Sequence, residues 1–320
     1  MLDSLFSFRE HRMIQRLLDA LQSALRPTGE GLGYFKSIIA SLVVVAELLG
    51  ALFFGHPQTP RGQVINLDEW ELVWRDEFDG DSLDLTKWRS HGNGPRRGGY
   101  WDIDQAIVQD GNLIIRTEYK EDGKYGPGWY SAGLDTRGLF EKKYGYFEVS
   151  CKCPPGVGLW GAFWTMSDGM SNPPDGSAAD GCEIDIFESF NYNQGARHDA
   201  ISHAVHYDGY GDGLTSVLVG VYKGKNIYTE YNTYGLEWNE NELIFYINGV
   251  ETDRLSGVWV PQVAEYLLLS VEVAGTVETI NGQRVPVLAK DNNITMNPPS
   301  AFPIDFVVDY VRVYERKPAA

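Results

Sequence analysis

From about Leu67 onward, apolar and polar residues alternate in short runs separated by Gly, Asn and Asp. Asn112-Leu113-Ile114-Ile115-Arg116-Thr117 is one such run, and Gly145-Tyr146-Phe147-Glu148-Val149-Ser150 another. Alternation over this length is the signature of a half-buried strand, because successive side chains of a strand point to opposite faces. Glu242-Leu243-Ile244-Phe245-Tyr246-Ile247 runs into Asn248-Gly249. Asn-Gly supplies the left-handed backbone of a tight hairpin turn, so a hairpin is predicted there. Phe306-Val307-Val308-Asp309-Tyr310-Val311-Arg312-Val313-Tyr314 closes the pattern. Many short strands at regular spacing, with almost no helical period and no internal repeat, predict an all-β sandwich or jelly roll.

Residues 1–62 have a different texture and are read as an N-terminal extension to a main domain spanning 63–320. Leu5, Phe8, Leu17, Leu18, Leu21 and Leu25 recur near helical spacing, which predicts a short amphipathic helical segment. Residues 38–54 form an apolar run broken only by Ser41, Glu47 and Gly50. Its length is at the short end of what spans a bilayer. Lys36 and several Arg precede it, an order that would leave the N-terminus in the cytoplasm and the main domain outside. A membrane anchor, an export signal and a helix packed on the main domain are the three readings, and the first two place the protein outside the cell or on its surface. His56-Pro57-Gln58-Thr59-Pro60-Arg61-Gly62 then reads as a linker.

The formal charge of −17 makes nucleic acid a poor partner, since an acidic surface repels phosphate. A neutral polymer is not excluded. Nine Trp and eighteen Tyr suit a protein that stacks on flat ligand faces, although β-rich cores also favour aromatics. Cys151, Cys153 and Cys182 are odd in number and show no metal-ligand spacing, so buried free thiols are expected.

The most informative stretch is Asp180-Gly181-Cys182-Glu183-Ile184-Asp185-Ile186-Phe187-Glu188-Ser189. In a plain strand Glu183 and Asp185 share a face, and Glu188 points the other way. One extra residue in a β-bulge restores the phase, so a bulge is predicted at Ile186-Phe187. The two glutamates then sit roughly 13 Å apart at Cα. Side chains leaning inward leave their carboxyls on the order of 5 Å apart, the spacing of a retaining glycosidase. Crowded acids cannot all ionise easily, which supplies a proton donor beside a nucleophile. A solvated acidic face and a calcium site are the competing readings of the same residues.

With these residues in view, the sequence resembles glycoside hydrolase family 16 in its bulged Glu-x-Asp-x-x-Glu, laminarinase-like branch. Trp74-Arg75-Asp76-Glu77-Phe78-Asp79-Gly80, Gly145-Tyr146-Phe147-Glu148, Gly158-Leu159-Trp160-Gly161-Ala162-Phe163-Trp164 and Asp309-Tyr310-Val311-Arg312-Val313-Tyr314 flank the acids in the order that family shows. The resemblance implies a concanavalin A-like jelly roll of two curved antiparallel sheets. It implies Glu183 as nucleophile, Glu188 as acid/base and Asp185 as the residue orienting the nucleophile. It also implies His206 on the neighbouring strand, and Trp160, Trp164, Trp101 and Trp129 as candidate sugar platforms. No cofactor is expected for catalysis; Glu77, Gly111 and Asp309 are candidate ligands of a structural calcium. Gly161 stands where Pro is usual, and Leu134 where many laminarinases carry a substrate-contacting Arg. The implied activity is a retaining endo-β-glucanase acting as a monomer on 1,3- or mixed 1,3-1,4-linked glucan. The alternatives are a galactan hydrolase or transglycosylase of the same chemistry, and a carbohydrate-binding protein without catalysis.

Overall fold

The computed structural model describes residues 57–318. The expected N-terminal helix and the apolar run 38–54 lie outside the described residues. Among the described residues no helix is long and apolar enough to cross a membrane.

Short alternating runs become strands because each can bury one face, and two large, mainly antiparallel sheets result, beside a two-stranded ribbon of Gly275–Ile280 and Gln283–Leu288. The front sheet contains β1 (Arg89–Ser90), β2 (Gly133–Asp135), β3 (Leu159–Met166), β4 (Glu183–Glu188), β5 (Ala200–Tyr207), β6 (Thr215–Lys223) and β7 (Glu265–Val273). Across the sheet they run β6-β5-β4-β3-β7-β2-β1. In the back sheet, Gly145–Lys152 pairs with Asn232–Trp238 on one side and Ile304–Arg316 on the other. The hairpin predicted at Asn248-Gly249 joins Glu242–Ile247 to Val250–Ser256, with both turn residues at positive φ.

The core fills the space between the sheets. Leu113, Ile115, Phe147, Val149, Phe306 and Val308 come to it from the back sheet, and Phe163, Ile184, Ile201, Leu267 and Leu269 from the front. β7 is buried along its whole length, because its other face is covered too. There Tyr266 and Leu268 pack with Ala162 and Trp164 of β3 into a smaller cluster, the floor of the front face. Cys151, Cys153 and Cys182 are free and buried, as expected.

The segment expected to be a linker is docked instead. Gln58 donates its amide to the Val221 carbonyl at 2.9 Å, and Lys223 donates back to Gln58 at 2.8 Å. Val64 forms a bridge to Val250, and Ile65 donates to Gly249 at 2.9 Å. Pro57 and Pro60 are compatible with an extended chain at a sheet edge, and turn composition alone cannot distinguish that from a free tether.

Candidate active site

The acids lie on β4, the third strand from the β6 edge. Glu183 pairs with His206, Asp185 with Ala204 and Glu188 with Ser202. Two residues of β4, Ile186 and Phe187, therefore stand opposite His203 alone. On the other side Phe163 faces Phe187 and Trp164 faces Asp185, so the register skips Ile186 there as well. This is the bulge that the acid spacing required, at the residues expected. Its cause is apolar demand from below. Ile186 and Phe187 are both fully buried, and the Phe187 ring stacks on Tyr234 of the back sheet with centroids 4.1 Å apart. With both neighbours drawn toward the core, Glu188 returns to the face that carries Glu183 and Asp185.

Burial is the largest influence on both glutamates. It pushes Glu183 up to about 7, helped by the Asp185 charge and opposed by His206, Tyr210 and Arg96. Glu188 is held well above the ordinary range, by burial first and then by Asp185, Glu183 and Glu272, against Arg97. Glu183 thus has more stabilising partners for its charge than Glu188. Asp185 is buried between them and contacts Nε2 of His206 at 3.1 Å. Burial alone would discharge His206, but the hydrogen bond to Asp185 and the charges of Asp185 and Glu183 outweigh it and raise its pKa. Its Nδ1 reaches Ser216 Oγ at 2.6 Å. Tyr210, on the loop after β5, donates its hydroxyl to Glu183. Glu183, Asp185 and His206 also place one donor atom each within 4.8 Å of one another, so a cation could be held only where these groups already engage each other.

The cavity over these acids is lined by His91, Arg96, Arg97, Trp160, Trp164 and Tyr210, among others. A second lobe extends past Trp160 to Phe190, Gln194 and Asn292. Arg96 forms an ion pair with Glu272 at 2.6 Å, and the Arg97 guanidinium lies 4.4 Å over the Trp160 ring. His91 hydrogen-bonds Asp135 through Nδ1 at 2.8 Å. Sequence reading missed Arg96, Arg97, His91, Glu272 and Tyr210. They come from loops and strands far apart in the chain, and the Arg96-Arg97 pair in a Gly-rich loop was the only local signal.

The expected aromatic platforms separate. Trp160 lines the cleft and is partly exposed, and Trp164 lines it while remaining 7% exposed, its Nε1 donating to Ser270. Trp101 is not a platform: it is 3% exposed, donates to the Val271 carbonyl, and lies under the Arg96 guanidinium. Trp129 lies in a different groove, with Tyr119 and Phe302. Leu134 is fully buried in the core, so it does not face substrate. Of the residues suggested for calcium, Glu77 has both oxygens gripped by Arg312 at 2.9 and 2.8 Å, and Asp309 accepts from Ser150.

With this geometry, residues 70–316 match the sequence profile of the GH16 domain of β-porphyranases A–D. The chain is 30% identical over 300 residues to a β-glucanase from Rhodothermus marinus, covering 87% of this chain and 95% of the relative. It is 28% identical over 262 residues to a keratan-sulfate endo-1,4-β-galactosidase from Sphingobacterium multivorum, covering 77% of this chain and 56% of that protein. Among solved structures it is similar to SCLam, a non-specific endo-β-1,3(4)-glucanase, with a TM-score of 0.63 at 25% identity, covering 82% and 97% of the two chains.

Proposed function

Since the chain belongs to glycoside hydrolase family 16 and is an endo-acting glycosidase, we propose that it cuts β-1,3- or mixed β-1,3-1,4-glucan with retention at the anomeric carbon. The observation that supports this most is the Ile186 bulge, which puts Glu183, Asp185 and Glu188 on one face. In this reading Glu183 is the nucleophile. Its carboxylate attacks the anomeric carbon while Glu188, which holds the proton, passes it to the departing glycosidic oxygen. The glycosyl–Glu183 ester then reacts with water. Glu188, now ionised, takes the proton of that water as the C–O bond to Glu183 breaks, and both carboxyls return to their starting states. Asp185 holds His206 beside Glu183 and raises its pKa, and Tyr210 donates to Glu183, so both favour the Glu183 charge.

Trp160, partly exposed on the cleft wall, offers an aromatic face for a pyranose ring. A second substrate reading, a galactan, draws support from the β-porphyranase profile and from Arg96 and Arg97 in the cleft lining. We also infer an extracellular or cell-surface location from residues 38–54, and a monomeric enzyme.

Reducing-sugar release from laminarin, lichenan, agarose, porphyran, xyloglucan and keratan sulfate tests the substrate. Fastest release from laminarin or lichenan is expected. Release from a galactan alone would replace the glucan reading, and release from none of the panel would contradict both.

A further inference from the structure

A bulge leaves a backbone carbonyl without its ladder partner, and this one is sealed from water. Ile186 has no pair on β3 or on β5, and its side chain is fully buried. His203 stands opposite and fills the gap. It points into the core, is 0% exposed, and brings Nδ1 to 2.5 Å from the Ile186 carbonyl oxygen. A carbonyl only accepts, so Nδ1 carries the proton and donates. Nε2 is then a lone pair, and the Thr252 hydroxyl lies 3.0 Å both from it and from the Phe245 carbonyl oxygen, so its single hydrogen is shared between these two acceptors. Thr252 belongs to Val250–Ser256 of the back sheet, so the imidazole bridges the two sheets through the core beneath the acids. The Phe245 ring packs against it at 4.8 Å. Burial pushes His203 down to about 4, so the neutral ring this tautomer requires persists across the working range.

We propose that His203 is a positioning residue that holds the Ile186 bulge in place and thereby aims Glu188 at the glycosidic oxygen. The inference rests on Glu188 being the acid/base. His206, on the cleft face three residues later, acts on the charge of the nucleophile; His203 acts from the core face on the backbone that carries the acid. An apolar residue at 203 would leave the Ile186 carbonyl buried and unpaired, and the bulge would relax toward a straight ladder that turns Glu188 away.

The test compares two substrates: the preferred polysaccharide, and a 2,4-dinitrophenyl glycoside of the oligosaccharide it yields. The dinitrophenolate leaves without protonation, so kcat/KM on it does not need a well-aimed acid. For His203→Leu, kcat/KM should fall about 100-fold on the polysaccharide, within the range general acid catalysis supplies, and less than about 5-fold on the aryl glycoside. His203→Asn, whose side-chain amide can replace the Nδ1 donor, should recover most of the loss. Equal losses on both substrates would overturn the inference, as would a folded His203→Leu with wild-type kcat/KM on the polysaccharide. If His203→Leu does not fold, Thr252→Val decides. A smaller loss confined to the polysaccharide supports the inference, and wild-type values on both substrates overturn it. Glu188→Gln serves as the control. If it shows no leaving-group dependence, the acid/base assignment itself fails; if it does and His203→Leu does not, only the present inference fails.

Discussion

Glu183 and Glu188 differ less in burial than in company. Both are pushed up by desolvation, but Glu183 is opposed by His206, Tyr210 and Arg96, and Glu188 only by Arg97. In the proposed mechanism that asymmetry, rather than side-chain type, divides nucleophile from acid. Glu183→Gln and Glu188→Gln should each lower kcat by about 10³-fold while leaving the thermal unfolding midpoint within a few degrees. Wild-type turnover in either would remove that residue from its role. The pH dependence has a definite sign. Glu183 must be ionised to attack, so activity falls as pH drops through about 7. Glu188 must be protonated, so activity falls again above its raised pKa. His206→Ala removes a group that lowers the Glu183 pKa, and the acid limb of kcat/KM should move to higher pH. An unmoved limb would show that His206 does not act on that charge.

At the scale of the element, β4 carries the site because it is irregular. The spacing Glu183, Asp185, Glu188 made the bulge legible in sequence: three acids flanked by core-type residues fit one face only with an extra residue, and Ile186-Phe187 was the only place for it. The partners across the cleft were not legible in the same way. Arg96 and Glu272 meet as an ion pair across 176 positions of chain, and no local period encodes that meeting. Trp101 and Trp129 looked like sugar platforms by type. Which way an aromatic ring faces is decided by packing: Trp101 is held under Arg96 and against β7, and Trp129 turns toward Phe302. Deleting Ile186 leaves Glu183, Asp185 and Glu188 at alternating positions of a straight strand, so the three acids should stay on the cleft face and the variant should keep measurable activity, with β-sheet circular dichroism retained. Phe187→Ala should destabilise by about 3–5 kcal/mol in urea unfolding, because it opens a cavity where the bulge is anchored on Tyr234. A folded deletion without activity would mean that the extra residue does more than set the phase of the acids.

For the molecule as a whole, two stacked sheets let one buried strand serve core and cleft together, and the cost is acids held away from water. Glu265, at the start of β7, is fully buried and raised to about 7, chiefly by desolvation. Its folded pKa lies above its unfolded value, so its contribution to stability is complete below the unfolded pKa and is lost as pH rises through about 7. Glu265→Gln should therefore be near neutral at acidic pH and stabilising by on the order of 2 kcal/mol above pH 8, read by thermal unfolding across pH. An equal effect at both pH values would show that Glu265 is not titrating. Fold class was readable from alternation and turn residues because both are local. The docking of Gln58 to Ile65 on the sandwich was not, because a Pro-rich extended segment looks the same whether or not a sheet edge receives it.

Double displacement requires Glu183 and Glu188 to reach one sugar from one strand at a separation of about 5 Å, rather than the roughly 6.5–9.5 Å that admits a water between carboxyl and sugar. Proton NMR of the anomeric signals in the first minutes of hydrolysis, before mutarotation, reads that difference directly. A β-configured reducing end appearing first is the predicted result. An α-configured one, the product of inversion, would contradict it.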